Sequence, residues 1–353
     1  MKNDKAGVFP KSLQWGDCIG LVGPASPIPA GEIVKCVELL KRLGYSAVPG
    51  ETLKRECNLY GYLAGDAKSR AGDINRMFAD NRVAAVFCTR GGYGSAEVLE
   101  YLDYDCIRQN PKIFVGYSDI TCIHIALAKY CGFVTFHGPM VWTDLLPRDH
   151  MSVADTVYSM KLLHTACNMN RKMIFQNPPG EEIRVMYAGF SHKRSSAGRP
   201  NEESFTCKSA SEEESCVHEG RLFGGNLSVL AHMLGTPFSP VGGGEILFLE
   251  EVGESIAHIH MYLIQMKSAG LFDGVKGILL GAFTDCKIEK YDEMMDIQIF
   301  LQEWFTGLGI PVLQNICSDH RKGAMATLPL GARCRMDTEK VIVQFGLDYI
   351  PPY

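Results

Sequence analysis

The first part of the chain alternates short apolar runs with longer stretches in which apolar residues recur every three or four positions, the pattern of βα units laid on a parallel sheet. Cys18–Val22 reads as a strand running into the turn-rich GPASPIP. A helix follows from about Gly31 to Leu43, with Ile33, Val37, Leu40 and Leu43 on one face and Gly44 as its stop. Val83–Cys88 (VAAVFC) is a continuous apolar run suited to a buried parallel strand, and it opens directly into RGGYG and the helical SAEVLEYL. A third unit repeats the arrangement, with Lys112–Val115 as strand, GYSD as a sharp turn, Ile120–Tyr130 as helix and a further strand around Phe133–Phe136.

After a helix near Val153–Leu163 the pattern breaks. Between about Arg171 and Val217 Ser, Glu, Lys and Asn cluster, so 168–217 is expected to be a polar linker or flap, its charge run a wet surface or a lid over substrate. Beyond it, EGRLFGGNLSVLAHMLG reads as strand, glycine turn and helix. ILFLEE, a helix through His260–Met266, VKGILLG, a helix near Asp292–Phe305 and the short extended runs MATLPLG and KVIVQF follow. Two units, 1–167 and 218–353, fit a length of 353 residues.

Composition narrows the class. Apolar residues at 46% and charged residues at 21% exclude a disordered or fibrous chain. A net charge of −5 supplies no field that would draw nucleic acid or an anionic membrane. The polar N-terminus lacks the apolar core of a signal peptide, and no run approaches a membrane span. Thirteen cysteines without a C-x-x-C pair fit free thiols in a reducing compartment better than a disulfide framework or a zinc site, so a cytoplasmic protein is expected.

The chemistry concentrates at strand ends. In KIFVGYSDITCIHIAL a strand, a tight turn with Ser118 at its apex and a helix form the geometry of a nucleophile elbow. The amide of Asp119 then lies at a helix N-terminus, where it can donate to a developing oxyanion. The full G-x-S-x-G pattern is only half met, since Ile120 stands at the second glycine, and Ser118 or Asp119 as a plain N-cap competes with the nucleophile reading. Gly91, Gly92 and Gly94 of RGGYG offer further amides at the same sheet edge, or simply make a tight turn. RGGYG is not G-x-G-x-x-G, so a dinucleotide site is rejected. A serine nucleophile needs a base and an acid to orient it. Among ten histidines, His124 falls inside a helix and should pack, and His258 and His260 lack metal-pair spacing. His320 follows the strand PVLQNI in the polar loop CSDHRKGA, and Glu250 closes ILFLE as either a solvated strand end or a functional carboxylate.

TRGGYGSAEVLEYLD, FVGYSDIT, GRLFGGNLSVL, ILFLEEVGE, GVKGILLGAFTDC and H-x-x-x-x-x-x-TLPLG, in that order, resemble the LD-carboxypeptidases of peptidase family S66. That family includes murein tetrapeptide carboxypeptidases and microcin C immunity hydrolases. The resemblance implies Ser118 as nucleophile, Glu250 and His320 as its partners, and an oxyanion hole from the amides of Asp119 and Gly92. Glu251 stands where the family usually has aspartate, so the two adjacent acids compete for the acid's role; strand alternation lets only one face His320. The implied fold is an N-terminal α/β domain similar to class I glutamine amidotransferases and a C-terminal α/β domain with a strand-rich end, the site lying between them. No metal or organic cofactor is implied, and a homodimer is. The implied activity is removal of terminal D-alanine from murein tetrapeptides in peptidoglycan recycling. The alternative within the family is cleavage of an amide between an acidic aminoacyl group and a nucleotide analogue. Members of that branch tend to carry a tryptophan between the domains, and here the segment has none. A catalytically silent muropeptide sensor would not need all three positions filled, and an amidotransferase-like enzyme would want cysteine at the elbow.

Overall fold

A computed structural model describes residues 8–54, 58–148, 151–168, 173–189, 216–240, 244–287 and 296–346. Its strands are β1 (Cys18–Val22), β2 (Ser46–Pro49), β3 (Val83–Cys88), β4 (Ile113–Gly116), β5 (Thr135–His137), β6 (Met173–Ile174), β7 (Arg184–Tyr187), β8 (Val217–Asn226), β9 (Ile246–Val252), β10 (Gly277–Thr284), β11 (Val312–Gln314), β12 (Leu328–Leu330), β13 (Arg333–Asp337) and β14 (Ile342–Gly346). They form two sheets, ordered β12-β5-β4-β3-β1-β2 and β6-β14-β13-β8-β9-β10-β11-β7. In the first, β1 to β5 run parallel and β12 lies antiparallel to β5. In the second, β8 to β11 run parallel and antiparallel strands finish both sides. The architecture is mixed α/β, as the alternation of the sequence implies.

The apolar runs of β3 and β4 are explained by cover on both faces. Val86 and Phe114 share a core with Phe78 of the helix Ala67–Ala79 and with Ile123 and Leu127 of the helix Thr121–Tyr130. Ala85, Phe87 and Val115 pack on the other side with Leu40 of the helix Glu32–Arg42 and Leu163 of the helix Val153–Cys167. Cys88 and Cys122 belong to the first of these cores, and burial pushes both thiols up.

Several expectations needed adjustment. The helix Ala67–Ala79 and β2 were not read from the sequence. On that helix Arg70 and Asp73 are fully buried, so two charged residues interrupt the stripe that would have marked it. Asp73 is kept inside by accepting the amides of Glu51 and Thr52 at 2.8 and 2.9 Å. Of the stretch 168–217, Met173–Ile174 and Arg184–Tyr187 form strands at the two edges of the second sheet. Short, partly exposed strands belong at edges. Its charge-rich run 190–215 lies outside the described residues, as do 288–295, where the helix near Asp292 was expected to begin; that helix is Ile297–Thr306. β12 comes from the expected C-terminal unit yet pairs with β5, Leu328 opposite His137 and Leu330 opposite Thr135. The chain's end thus covers the open edge of the first sheet.

Among the described residues no helix is long and apolar enough to cross a membrane.

The end of β8 meets the start of the helix Thr121–Tyr130. The amide of Asn226 donates to Thr121 Oγ1 at 3.1 Å, and a Cβ on Gly225, whose φ is +143°, would stand 2.6 Å from that same oxygen. We expect Gly225→Ala to cost about 3 kcal/mol or more, from a strained backbone and an overfilled contact together. Gly235 also has positive φ but open space around it, so Gly235→Ala should cost only about 1 kcal/mol in the same denaturant titration.

Candidate active site

β4 stops at Gly116, and Ser118 adopts a left-handed φ of 63° at the start of a tight turn that enters the helix Thr121–Tyr130. A serine held there is strained, as at the elbow of a serine hydrolase. The turn is held from below. His124 Nε2–H donates to the Gly116 carbonyl at 2.8 Å and Nδ1 accepts the Thr135 hydroxyl at 2.8 Å. Burial holds that ring neutral, with its pKa lowered to about 4. His124 therefore packs, as expected, and also anchors the elbow. Neither Ser118 nor Asp119 caps its own helix. The Asp119 carboxylate instead accepts the amide of Ser95 at 2.8 Å, at the start of the short helix Ser95–Val98 that follows RGGYG. Burial raises its pKa against that bond.

RGGYG lies on the elbow. A Cβ on Gly91 would be 3.0 Å from Ser118 Cβ and 3.2 Å from Ser118 Oγ, so only glycine lets this loop lie against the serine without displacing it. Gly92 packs over Ser26, whose amide donates to the Gly91 carbonyl at 3.3 Å. Among the described residues no group accepts from the amides of Gly92 or Asp119. The loop is pinned by the buried Arg70, which donates to the carbonyls of Gly65, Pro24 and Gly94 and pairs with Glu97 at 2.6 Å.

From the second sheet, β9 delivers two adjacent carboxylates to opposite faces. Glu250 is fully buried and its Oε2 accepts a 2.6 Å hydrogen bond from His320 Nδ1. Glu251 points the other way, accepting from Asn226 Nδ2 at 3.0 Å and from the amides of Val252 and Ser228 at 2.8 and 2.7 Å. Burial, with the charge of Glu250 beside it, raises the pKa of Glu251. Burial opposes the charged form of His320, but the charge and hydrogen bond of Glu250 outweigh it and hold the ring above the ordinary histidine value. Its neighbours are fixed, since the Asp319 carboxylate accepts the Ala282 amide at 2.7 Å and pairs with Arg321 at 2.8 Å.

Tyr117 joins the two halves. Its ring lies 4.8 Å from that of His320, and its hydroxyl donates to Asp144 Oδ1 at 2.9 Å. Asp144 adds to the negative field on His320. His137, fully buried, packs against Tyr117 on another side and donates from Nε2 to the Ser318 carbonyl at 3.1 Å. Sequence reasoning missed Tyr117, Asp144 and His137. Only Tyr117, directly before the serine, carried a usable signal.

The profile of the LD-carboxypeptidase N-terminal domain matches residues 19–138 and that of the C-terminal domain matches 219–336. The probable murein peptide carboxypeptidase of Bacillus subtilis (strain 168) is 34% identical over 343 residues, covering 96% of each chain. The chain belongs to the LD-carboxypeptidase family. Two solved structures are similar throughout. The muramoyltetrapeptide carboxypeptidase of Oxalobacter formigenes has a TM-score of 0.71 at 25% identity, over 95% of this chain and 100% of that one. The microcin C7 self-immunity protein MccF, solved in complex with aspartyl sulfamoyl adenosine, has a TM-score of 0.77 at 26% identity, over 98% and 100%. The chain is accordingly a serine peptidase of carboxypeptidase type. Ser118 falls within the match to the LD-carboxypeptidase N-terminal domain, and Glu250 and His320 within that to the C-terminal domain.

The imidazole resonances of His320 should titrate above about 6.5 by NMR. In Glu250→Gln the lowering effect of burial is left without its main opposition, and the midpoint should fall below that value. An unchanged midpoint would show that Glu250 does not govern the ring.

Proposed function

We propose that this LD-carboxypeptidase hydrolyses the amide between a diamino acid and the terminal D-alanine of a murein tetrapeptide, through a Ser118–His320–Glu250 triad and an acyl-enzyme. The observation that carries the reading is the 2.6 Å bond from His320 Nδ1 to the buried Glu250 carboxylate, in a molecule whose strained Ser118 elbow abuts the same histidine through Tyr117.

The bond sets the tautomer. With its proton on Nδ1 and directed at Glu250, the neutral ring has Nε2 free to accept the Ser118 hydroxyl proton. Ser118 Oγ bonds to the scissile carbonyl carbon, and the carbonyl oxygen takes the electron pair. The amides of Asp119 and Gly92 donate to that oxyanion; one such donor is worth roughly 100- to 1,000-fold in rate. Collapse breaks the carbon–nitrogen bond as His320 returns the proton to the leaving amine of D-alanine. Water then attacks the ester, giving a proton to His320, and as the bond from the acyl carbon to Ser118 Oγ breaks His320 passes that proton to Ser118 Oγ. Every step uses side chains and amides of this chain.

A second reading is favoured by one comparison, the fold shared with MccF in its complex with aspartyl sulfamoyl adenosine. There the same triad would cleave an aminoacyl amide from a nucleotide analogue.

Purified protein incubated with murein tetrapeptide should release D-alanine, and release from the nucleotide analogue instead would favour the second reading. Ser118→Ala should lose about 10⁴-fold or more in kcat, and Glu250→Gln on the order of 10³- to 10⁴-fold. Glu251→Gln should stay within about tenfold, because its carboxylate faces Asn226 and Ser228. Full turnover by Ser118→Ala would overturn the triad. Since His320 must be neutral to act as base and its pKa is raised, kcat/KM should climb as pH rises through a midpoint above about 6.5.

A further inference from the structure

Beside the elbow two arginines crowd one indole. The Cζ atoms of Arg90 and Arg148 lie 5.1 and 3.9 Å from the centroid of the Trp142 ring. Arg148 Nε and Nη2 are buried and have no hydrogen-bond partner among the described residues. Among the described residues the Arg90 side chain makes one hydrogen bond, from Nη1 to the Pro27 carbonyl at 3.1 Å. The nearby carboxylate, Glu32, is engaged elsewhere, with Lys35 at 2.6 Å and with the Trp142 indole N–H at 3.3 Å. Burial and the charge of Arg148 both lower the pKa of Arg90. Glu32 also attracts Arg148, but among the described residues this one carboxylate, already serving Lys35 and the indole, is the only negative charge recorded against two partly buried guanidinium groups, an arrangement that a bound anion would relieve.

The cluster is tied to the catalytic edge from two directions. Arg90 directly precedes Gly91, which lies on Ser118. The amides of Trp142 and Thr143 donate to the Thr89 carbonyl at 2.9 and 3.3 Å, and the next residue, Asp144, accepts the hydroxyl of Tyr117. The segment carrying the indole therefore bridges from the RGGYG loop to the residue before the nucleophile. In a chain of net charge −5, a doubled positive site at this edge is a local exception that suits an anionic substrate group.

We propose that Arg90 and Arg148 receive the free C-terminal carboxylate of the peptide that this carboxypeptidase shortens. The inference rests on the carboxypeptidase reading and specifies which group of that substrate is recognised. A planar guanidinium meets a carboxylate with paired N–H donors, and Trp142 holds the two side chains in place.

The test compares a murein tetrapeptide ending in free D-alanine with the same peptide ending in D-alaninamide. Wild-type protein should prefer the acid by about 100-fold in kcat/KM. Arg148→Ala and the size-matched Arg148→Gln and Arg90→Gln should each lower kcat/KM on the acid by about 10- to 100-fold while leaving the amide within about threefold. Loss on both peptides alike by variants whose melting temperature is unchanged, or no loss on the acid, would overturn the assignment. Should the wild type turn over neither peptide, the murein reading fails. Ligand-observed NMR with N-acetyl-D-alanine and its amide then decides the arginine site by itself. Selective binding of the acid, lost in Arg148→Gln, upholds the site, and equal binding of acid and amide overturns it.

Discussion

A carboxylate with no exposed surface needs a partner, and for Glu250 that partner is His320. Its second oxygen, Oε1, has none among the described residues, so the 2.6 Å bond to the imidazole carries the compensation alone. The bond spans 70 residues of chain, and the surrounding structure serves to hold its two ends. β9 presents Glu250 from the interior of the parallel part of its sheet, and the Asp319–Arg321 pair fixes the loop carrying His320 to the Ala282 amide of β10, the strand next to β9. Breaking such a buried pair from one side leaves an uncompensated charge, so this geometry is held by stability as well as by chemistry.

The same economy governs the elbow. A left-handed serine costs on the order of 1 to 3 kcal/mol, and the neighbourhood must over-determine it. Two devices do so here. His124 ties the end of β4 to Thr135 of β5, and the glycine loop closes over Ser118 with no side chain of its own in the way. The loop could have moved freely, but the buried Arg70 gathers three separate carbonyls around it. Strain at Ser118 is thus offset by hydrogen bonds placed one layer behind it.

Much of this was legible in the residues. Continuous apolar runs announced β3 and β4, and the turns that follow them announced the catalytic edge, because a parallel sheet covered on both faces leaves its ligands nowhere else to bind. Strand alternation showed that Glu250 and Glu251 face opposite ways. It could not show which faces His320, since period two fixes a difference and not a direction. The helix Ala67–Ala79 was hidden because Arg70 and Asp73, whose partners lie elsewhere in the chain, occupy its inward face. Asp144 and the pairing of β12 with β5 had no local sign at all. Each acquires meaning from a contact across the fold, Asp144 from Tyr117 and Leu328 from His137.

Ser118 and the Glu250–His320 pair reach the site from different parts of the fold. Ser118, the amides of Gly92 and Asp119 and the arginine pair follow strands of the first sheet; Glu250 lies on β9 of the second, and His320 lies in the loop that runs from β11 of the second sheet to β12 of the first. Ser118 and Glu250 therefore come from different β-sheets, and Tyr117, packed 4.8 Å from the His320 ring, lies where the two meet. Its hydroxyl is spent on Asp144, which itself lies in the same connecting segment as Trp142. An anion arriving at Arg90 and Arg148 would thus bear on the segment that also carries the carboxylate nearest Tyr117. Trp142, Asp144 and Arg148 share one short piece of chain, and through Tyr117 that piece reaches the ring of His320.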